Sequence, residues 1–191
     1  RYYHRSRDNN RDGSRRNIAY HYDLGNDFYS AWLDPGMTYS SARYRQPADT
    51  LQDAQEEKYR SIAELAGLED GHHVLEIGCG IGLASIVLHK MGVDITASDY
   101  HPRAQEFLNR NVLDNGLAPM KFQTIDFEQK NPLLGKFDLI IASDVLYQPQ
   151  HAQNLSRFIS LHSSDDVKVI VVDPGRENRA KFTHHMIALG Y

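Results

Sequence analysis

The sequence is poor in cysteine and has no long apolar run. Its 191 residues include one cysteine, which excludes an internal disulfide and is typical of a reducing compartment. No apolar stretch approaches the roughly 18 residues that a membrane-spanning helix needs, and the arginine-rich start lacks the apolar core of a signal peptide. We therefore expect a cytoplasmic protein. The ten histidines lack the spacing of metal ligands, so we expect no catalytic metal.

The composition that remains is ordinary for one globular domain. Hydrophobic residues make up 41% and charged residues 24% of the chain, enough apolar material for a core. The net charge of −4 is uneven, because residues 1–16 carry six arginines against two aspartates. This basic arm predicts either a solvated tail or peripheral contact with an anionic membrane. No basic stripe with interleaved aromatics recurs in the body, so we expect no nucleic-acid partner.

From residue 73 onward, short apolar runs alternate with amphipathic stretches. This alternation predicts an α/β fold, a Rossmann-like, doubly wound, mostly parallel sheet with helices on both faces. Ligands of such folds bind beyond the carboxyl ends of the strands. The predicted elements are strands Val74–Ile77, Val93–Ser98, Lys121–Phe127, Phe137–Tyr147 and Val167–Asp173, and helices Leu83–Lys90, Arg103–Leu113, Ala152–His162 and Glu177–Leu189.

A glycine-rich turn, EIGCGIG, follows the first predicted strand. Its alternate glycines Gly78, Gly80 and Gly82 allow a tight turn and a close approach of the backbone to a ligand. The second strand leads to Asp99, where a carboxylate can accept both hydrogen bonds of a ribose diol. The alternative is that Asp99 caps the following helix. Together the loop and the acid predict a site for a nucleotide-like ligand.

Two common nucleotide fingerprints do not fit this turn. A dinucleotide pattern G-x-G-x-x-G would have Leu83 or Ser85 at its last glycine, and no Gly-Lys-Ser/Thr follows as in a P-loop. With Glu76 ahead of the glycines, the E-x-G-x-G-x-G form resembles motif I of class I methyltransferases. This resemblance implies S-adenosylmethionine as the cofactor, with the glycines facing its methionine part and Asp99 holding its ribose.

The same resemblance extends to residues at the ends of the third and fourth predicted strands. It implies that Asp126 and Phe127 contact the adenine and that Ser143 lies beside the departing methyl group. Asp144 and Tyr147, in the segment SDVLY, are then the candidate catalytic residues that contact the incoming nucleophile. The structural alternatives are a loop cap for Asp144 and a half-buried ring for Tyr147.

A second, longer resemblance covers residues 10 to 82. The segments GSRRNIAYHYDLGNDFYSAWLDPGMTYSSA, DTLQDAQEEKYRSIAELAGL and VLEIGCG are similar to the cyclopropane-fatty-acid and mycolic acid cyclopropane synthases. This resemblance implies a helical cap over the cofactor, with Tyr39 and Ser40 contacting it. Two features depart from that family. Ser41 stands where the synthases usually have a cysteine of a bicarbonate site, and SDVLYQPQH replaces a glutamate-containing segment.

Residues 83–191 resemble instead the protein-lysine and small-molecule N-methyltransferases, through KFDLIIASDVLY and VVDPGR. In DPGR, Asp173 and Arg176 shape the acceptor entrance or simply form a tight turn. Such a mosaic is either natural or engineered. We predict an S-adenosylmethionine-dependent methyltransferase with a protein amine or small molecule as acceptor. The alternatives are an enzyme acting on unsaturated lipid acyl chains and a non-catalytic cofactor-binding module.

These resemblances divide the chain and bear on its assembly. Class I methyltransferases usually complete the sheet with an antiparallel hairpin, and the sequence ends where that hairpin would start. We expect either that the sequence is truncated or that another chain completes the edge of the sheet. An open sheet edge favours association, which predicts a homo-oligomer or poor solubility. The predicted parts are a basic flexible arm (1–16), a helical and aromatic cofactor cap (17–70) and a Rossmann-like cofactor-binding domain (71–191).

Overall fold

The computed structural model describes residues 25–35, 38, 41–128 and 134–191. The chain divides into two compact units, Arg1–Ser61 and Ile62–Tyr191. The elements in chain order are α1 (Gly25–Ser30), α2 (Leu51–Leu65), β1 (His73–Ile77), α3 (Leu83–Lys90), β2 (Asp94–Asp99), α4 (Ala104–Asp114), β3 (Lys121–Thr124), β4 (Phe137–Ser143), α5 (His151–His162), β5 (Ser163–Val172) and α6 (Asn178–Ala188).

The second unit contains a five-stranded sheet with the order β3-β2-β1-β4-β5. Every neighbouring pair is parallel, which confirms the predicted doubly wound α/β fold. The strand order reverses between β1 and β4, because β1 leads to β2 on one side while β4 lies on the other. The loops that leave β1 and β4 therefore diverge at this point, and ligands of doubly wound folds bind in the resulting crevice.

Both faces of the sheet are covered, and β1 contributes to each core. Leu75 is fully buried in a cluster that includes Leu155 of α5 and Phe182 of α6. Val74, one residue earlier and also fully buried, packs in a second cluster with Leu88 of α3. Because successive side chains of a strand point to opposite faces, α3 and α5 lie on opposite sides of the sheet.

Two strands end earlier than predicted. β3 stops at Thr124, which is the partner of Asp99, the last residue of β2. Because β2 ends at Asp99, the residues that follow Thr124 have no part of β2 to pair with. β4 stops at Ser143 because Asp144 has φ of 55°, which is incompatible with extended backbone. The prediction that these strands continue to Phe127 and Tyr147 is therefore wrong, and those residues lie in the loops beyond the sheet.

In the first unit, the start of α2 is defined by a reciprocal cap. The Asp53 backbone N–H donates to Thr50 Oγ1 at 3.2 Å, and the Thr50 backbone N–H donates to Asp53 Oδ2 at 3.1 Å. This exchange satisfies amide groups that have no partner within the helix. Further along α2, Glu57 is buried and accepts a hydrogen bond from Ser61. Arg45 forms an ion pair with the same carboxylate at 2.5 Å, so the buried charge is compensated.

Candidate functional site

The loop between β1 and α3 needs glycine at two positions for steric reasons. Gly78 has φ of 73°, and a Cβ there would lie 2.7 Å from Val145 Cγ1. Gly82 has φ of 86°, and its Cβ would lie 2.0 Å from Leu108 Cδ1. Gly80 has φ of 55° but no heavy atom within 4 Å of an added Cβ. The middle glycine therefore borders open space, which leaves its backbone accessible to a ligand.

Asp99 connects this loop to the end of β2. Its Oδ2 accepts a hydrogen bond from the Gly80 N–H at 2.8 Å, and its Oδ1 accepts one from the His101 N–H at 2.8 Å. The helix-cap alternative fails, because α4 begins at Ala104 and its N-cap Arg103 has no side-chain cap. Each carboxylate oxygen keeps a second lone pair, so this geometry is compatible with the predicted contact to a ribose diol.

Two further groups behind the loop are buried. Glu76, at 7% exposure, accepts a hydrogen bond from the Ser85 hydroxyl. Burial raises the pKa of Glu76, the Ser85 hydrogen bonds oppose this rise, and the nearby Asp99 charge adds to it. Burial, with Glu76 and Asp99 close by, raises the pKa of the Cys79 thiol to about 12. This thiol is inert at neutral pH, whereas the two carboxylates form a negative site behind the loop.

The residues predicted after β3 and at the end of β4 lie at the same carboxyl edge. Asp126 Oδ1 accepts a hydrogen bond from the Glu128 N–H at 2.9 Å, which orders the turn after β3. The ring of Phe127 packs against the core and meets the His151 ring edge to face at 5.2 Å. Ser143, the last residue of β4, is exposed. Two other predicted cofactor contacts, Tyr39 and Ser40, lie outside the described residues.

Asp144 and Tyr147 are joined by Arg176, from the loop that follows β5. Arg176 Nη1 lies 2.6 Å from Asp144 Oδ1, and the guanidinium carbon lies 4.6 Å from the centroid of the Tyr147 ring. Asp144 Oδ1 is shielded from solvent, and this contact is an ion pair without the alignment of a hydrogen bond. Asp173 Oδ1 accepts the N–H groups of Gly175 and Arg176 at 2.8 and 2.6 Å. DPGR is thus a tight turn that also positions an arginine at the candidate acceptor side.

No sequence pattern pointed to Asn178, which begins α6 and contacts the loop after β4. Its side-chain amide donates to the Leu146 carbonyl at 3.0 Å, and the residue is 7% exposed. No motif signals this role, because the contact links residues 32 positions apart in the chain.

Asp144 is the one non-glycine residue with positive φ among the described residues. Such strained conformations persist where surrounding contacts hold them and they cluster at functional sites.

A separate cavity of about 730 Å³ runs along β3, from the opposite edge of the sheet to Thr124 and Ile125. Its lining includes the first residues of three strands, His73, Asp94 and Lys121. Asp94 Oδ2 lies within hydrogen-bond distance of His73 Nδ1, at 2.8 Å, and Asp94 Oδ1 forms an ion pair with Lys121 Nζ at 2.6 Å. The hydrogen bond from Lys121 holds the pKa of Asp94 below its ordinary value. We do not assign this cavity as the nucleotide site, because the glycine turn and the strand ends that form such sites lie at the other edge.

A known sequence family matches most of the chain. The sequence family described as mycolic acid cyclopropane synthetase matches residues 9–162. The chain belongs to this family. This membership confirms the expected resemblance to class I methyltransferases of the cyclopropane-synthase type. The match also continues beyond Gly82, through the SDVLY segment and α5, so it includes much of the part that resembles N-methyltransferases.

Individual relatives agree with the family. The chain is 34% identical over 146 residues to the tuberculostearic acid methyltransferase UfaA1 of Mycobacterium tuberculosis, covering 73% of this chain and 34% of that protein. It is 31% identical over 137 residues to a probable fatty acid methyltransferase of Pseudomonas putida, covering 71% and 34%. The chain thus spans about one third of the length of these relatives.

A solved structure shares the fold. The cyclopropane synthase MmaA2 of Mycobacterium tuberculosis superimposes with a TM-score of 0.57 at 18% identity, covering 88% of this chain and 72% of that one. In the part of the chain that the structure describes, no helix is long and apolar enough to cross a membrane. Within the same residues, no three His, Cys, Asp or Glu side chains form a group that could hold a metal ion.

Proposed function

We propose that the chain binds S-adenosylmethionine at the glycine loop and transfers its methyl group to an unsaturated acyl chain of a lipid. The observation that carries the proposal is the hydrogen bond from the Gly80 N–H to Asp99 Oδ2 at 2.8 Å. This bond joins the glycine loop to the acid of the neighbouring strand at the edge where doubly wound folds bind nucleotides. Membership of a cyclopropane synthetase family supports the choice of this cofactor among nucleotide-like ligands.

The residues around the loop fit this cofactor chemically. A positive group on the ligand would offset the burial of the Glu76 and Asp99 carboxyl groups and favour their charged forms, so these two acids favour a ligand of that kind. Open space beside Gly80 admits the ligand, and the free lone pairs of Asp99 suit the ribose hydroxyls. Asp126 and Phe127 would border the adenine. Tyr39 and Ser40 stay predictions for the cap, and Ser143 stays one for the reactive end.

The names of the relatives bear on the choice of methyl acceptor. Two relatives above 30% identity are described as fatty acid or tuberculostearic acid methyltransferases, which favours the lipid alternative. The protein amine or small molecule that the sequence analysis preferred has no such support. The basic arm of residues 1–16 would add attraction to anionic lipid, because each arginine gains free energy near a negative surface.

The chemistry asks little of the protein beyond alignment and exclusion of water. When bound at the loop, the cofactor would supply a methyl group to a π-bond carbon of an acyl chain held in line with its carbon–sulfur bond. The sulfur would leave as a neutral thioether, and a proton would pass from the alkylated chain to a base other than Asp144. Asp144 and Tyr147 would border that acceptor. Because Asp144 is paired with Arg176, we assign it to orienting the acceptor rather than to removing a proton.

Cofactor binding can be tested with two variants of a single strand. Asp99 and Asp94 are the last and first residues of β2, so Asp99→Asn and Asp94→Asn remove the same charge at opposite edges of the sheet. Hydrogen bonds to a charged group contribute about 1.5–3 kcal/mol. We therefore expect Asp99→Asn to weaken S-adenosylmethionine binding about tenfold to a hundredfold by calorimetry, and Asp94→Asn to leave it unchanged. Equal effects of the two variants would contradict the assignment of the site.

The acceptor can be tested with methyl-labelled S-adenosylmethionine. The chain is incubated with fluid vesicles of dioleoyl or diphytanoyl phosphatidylglycerol, which share a headgroup and differ in the presence of double bonds. A cell extract serves as the source of protein and small-molecule acceptors. We expect label in the dioleoyl vesicles only, with loss of labelling in Asp99→Asn. Label in the protein or small-molecule fraction, with none in either lipid, would overturn the lipid assignment while leaving the cofactor assignment intact.

A further inference from the structure

The contacts of Arg176 bear on which acceptors the site admits. A carboxylate beside an aromatic face is a pair of groups that recognises an ammonium ion, through charge attraction and cation–π interaction. Asp144 and Tyr147 provide such a pair in the loop after β4. In this structure the guanidinium of Arg176 already lies there, 2.6 Å from Asp144 Oδ1 and 4.6 Å from the Tyr147 ring centroid.

The arginine is held in this position from its own backbone. Its N–H donates to Asp173 Oδ1 at 2.6 Å, so the loop that carries it is ordered locally. The Arg176 side chain is 30% exposed and that of Asp144 46%. Asn178, the first residue of the helix that follows this loop, donates a hydrogen bond to the Leu146 carbonyl. An entering ammonium would therefore have to displace the Arg176 guanidinium from a position that an ordered loop supports. A flexible surface arginine would be easier to displace.

We propose that Arg176 is a specificity-determining residue that excludes ammonium groups from the acceptor side of the site. It neutralises Asp144, occupies one face of the Tyr147 ring and repels a second cation. A neutral acyl chain meets none of these obstacles. The inference rests on the proposed function only in taking the Asp144–Tyr147 loop as the acceptor entrance, and it explains why a sequence with an SDVLY segment would not accept a protein amine.

A binding experiment separates this role from a structural one. The probe is n-butylammonium, which has the charge and length of a lysine side chain, with n-butanol as the neutral probe of the same length. Binding is followed by the amide NMR signals of Asp144 and Tyr147. We expect no saturable shift in the unmodified chain. Arg176→Ala and Arg176→Met should bind n-butylammonium at least about tenfold more tightly, since a cation–π contact and a released carboxylate are both gained.

Three controls make the result decisive. Arg179→Ala removes a nearby exposed arginine of α6 and should leave ammonium binding as in the unmodified chain. Arg176→Lys should keep the exclusion, because it retains the positive charge. Adding Asp144→Asn to Arg176→Met should abolish the gained affinity. The inference is overturned if the unmodified chain binds n-butylammonium as tightly as Arg176→Met, or if the gain survives Asp144→Asn or extends equally to n-butanol.

The lipid-labelling assay on the same variants distinguishes the two proposals. In one outcome, Arg176→Met gains ammonium binding, but neither the unmodified chain nor any variant transfers labelled methyl groups to dioleoyl vesicles. The lipid function then fails and the exclusion by Arg176 stands. If the unmodified chain labels dioleoyl vesicles and Arg176→Met gains no ammonium binding, the lipid function stands and the exclusion fails.

Discussion

Replacing Gly82 by alanine combines two separate costs that the structure allows us to estimate. Its φ of 86° costs an L-residue roughly 1–2 kcal/mol relative to glycine. The added Cβ would also lie 2.0 Å from Leu108 Cδ1. Leu108 is fully buried and has little space to move, so forcing this contact costs about 1–3 kcal/mol more. We expect Gly82→Ala to reduce the free energy of unfolding by about 2–5 kcal/mol.

Gly80 is the matched control in the same loop. Its φ of 55° is also left-handed, but an added Cβ meets no heavy atom within 4 Å. Gly80→Ala should therefore lose only the conformational cost of about 1–2 kcal/mol. The measurement is urea-induced unfolding followed by circular dichroism, with the free energy of unfolding extrapolated to water. The two variants differ by the steric cost alone.

A double variant identifies the atom responsible. Leu108→Ala leaves a cavity and should cost about 2–5 kcal/mol by itself. Because it also removes the methyl group that Gly82→Ala would contact, the two changes together should cost at least about 1 kcal/mol less than their sum. Additive losses, or a Gly82→Ala loss no larger than that of Gly80→Ala, would refute the steric argument.

The remaining predictions concern reactivity, pH and packing. Burial raises the pKa of the Cys79 thiol to about 12. A disulfide reagent at pH 8 should therefore label the folded chain at least about a hundredfold more slowly than the urea-unfolded chain, and equal labelling rates would contradict the burial. Lys121 lowers the pKa of Asp94, so their pair stabilises the fold above the unfolded pKa of 3.8, and this contribution disappears as pH falls through the lower folded pKa. Because both side chains are partly exposed, Lys121→Met should lose less than about 1 kcal/mol at pH 7 and a smaller amount at about pH 2. Urea unfolding at the two pH values measures both losses, and a larger loss at the lower pH would refute this. Leu155→Ala, at 0% exposure, should cost about 2–5 kcal/mol, against less than about 0.5 kcal/mol for Leu65→Ala at 85% exposure, and thermal unfolding compares the two.

Local patterns in the sequence predicted the sheet and the edge that carries the candidate site. Alternating apolar runs and amphipathic stretches were sufficient for five strands and a parallel sheet, because burial on both faces requires such runs. The spacing between the glycines and Asp99 predicted that they would meet. The structure joins them through the Gly80 N–H. This part is determined locally, because a glycine turn and the end of the next parallel strand lie side by side in every such unit.

What only the tertiary structure decided depends on contacts between distant residues. The early end of β3 follows from where β2 ends, which no property of the β3 sequence encodes. Asp144 and Arg176 are separate loop residues in the sequence, and their ion pair at 2.6 Å exists because β4 and β5 are neighbours. The sequence by itself therefore determined the fold class and the nucleotide edge. The pairing of Asp144 with Arg176 was decided by packing, since it depends on which loops the sheet brings together.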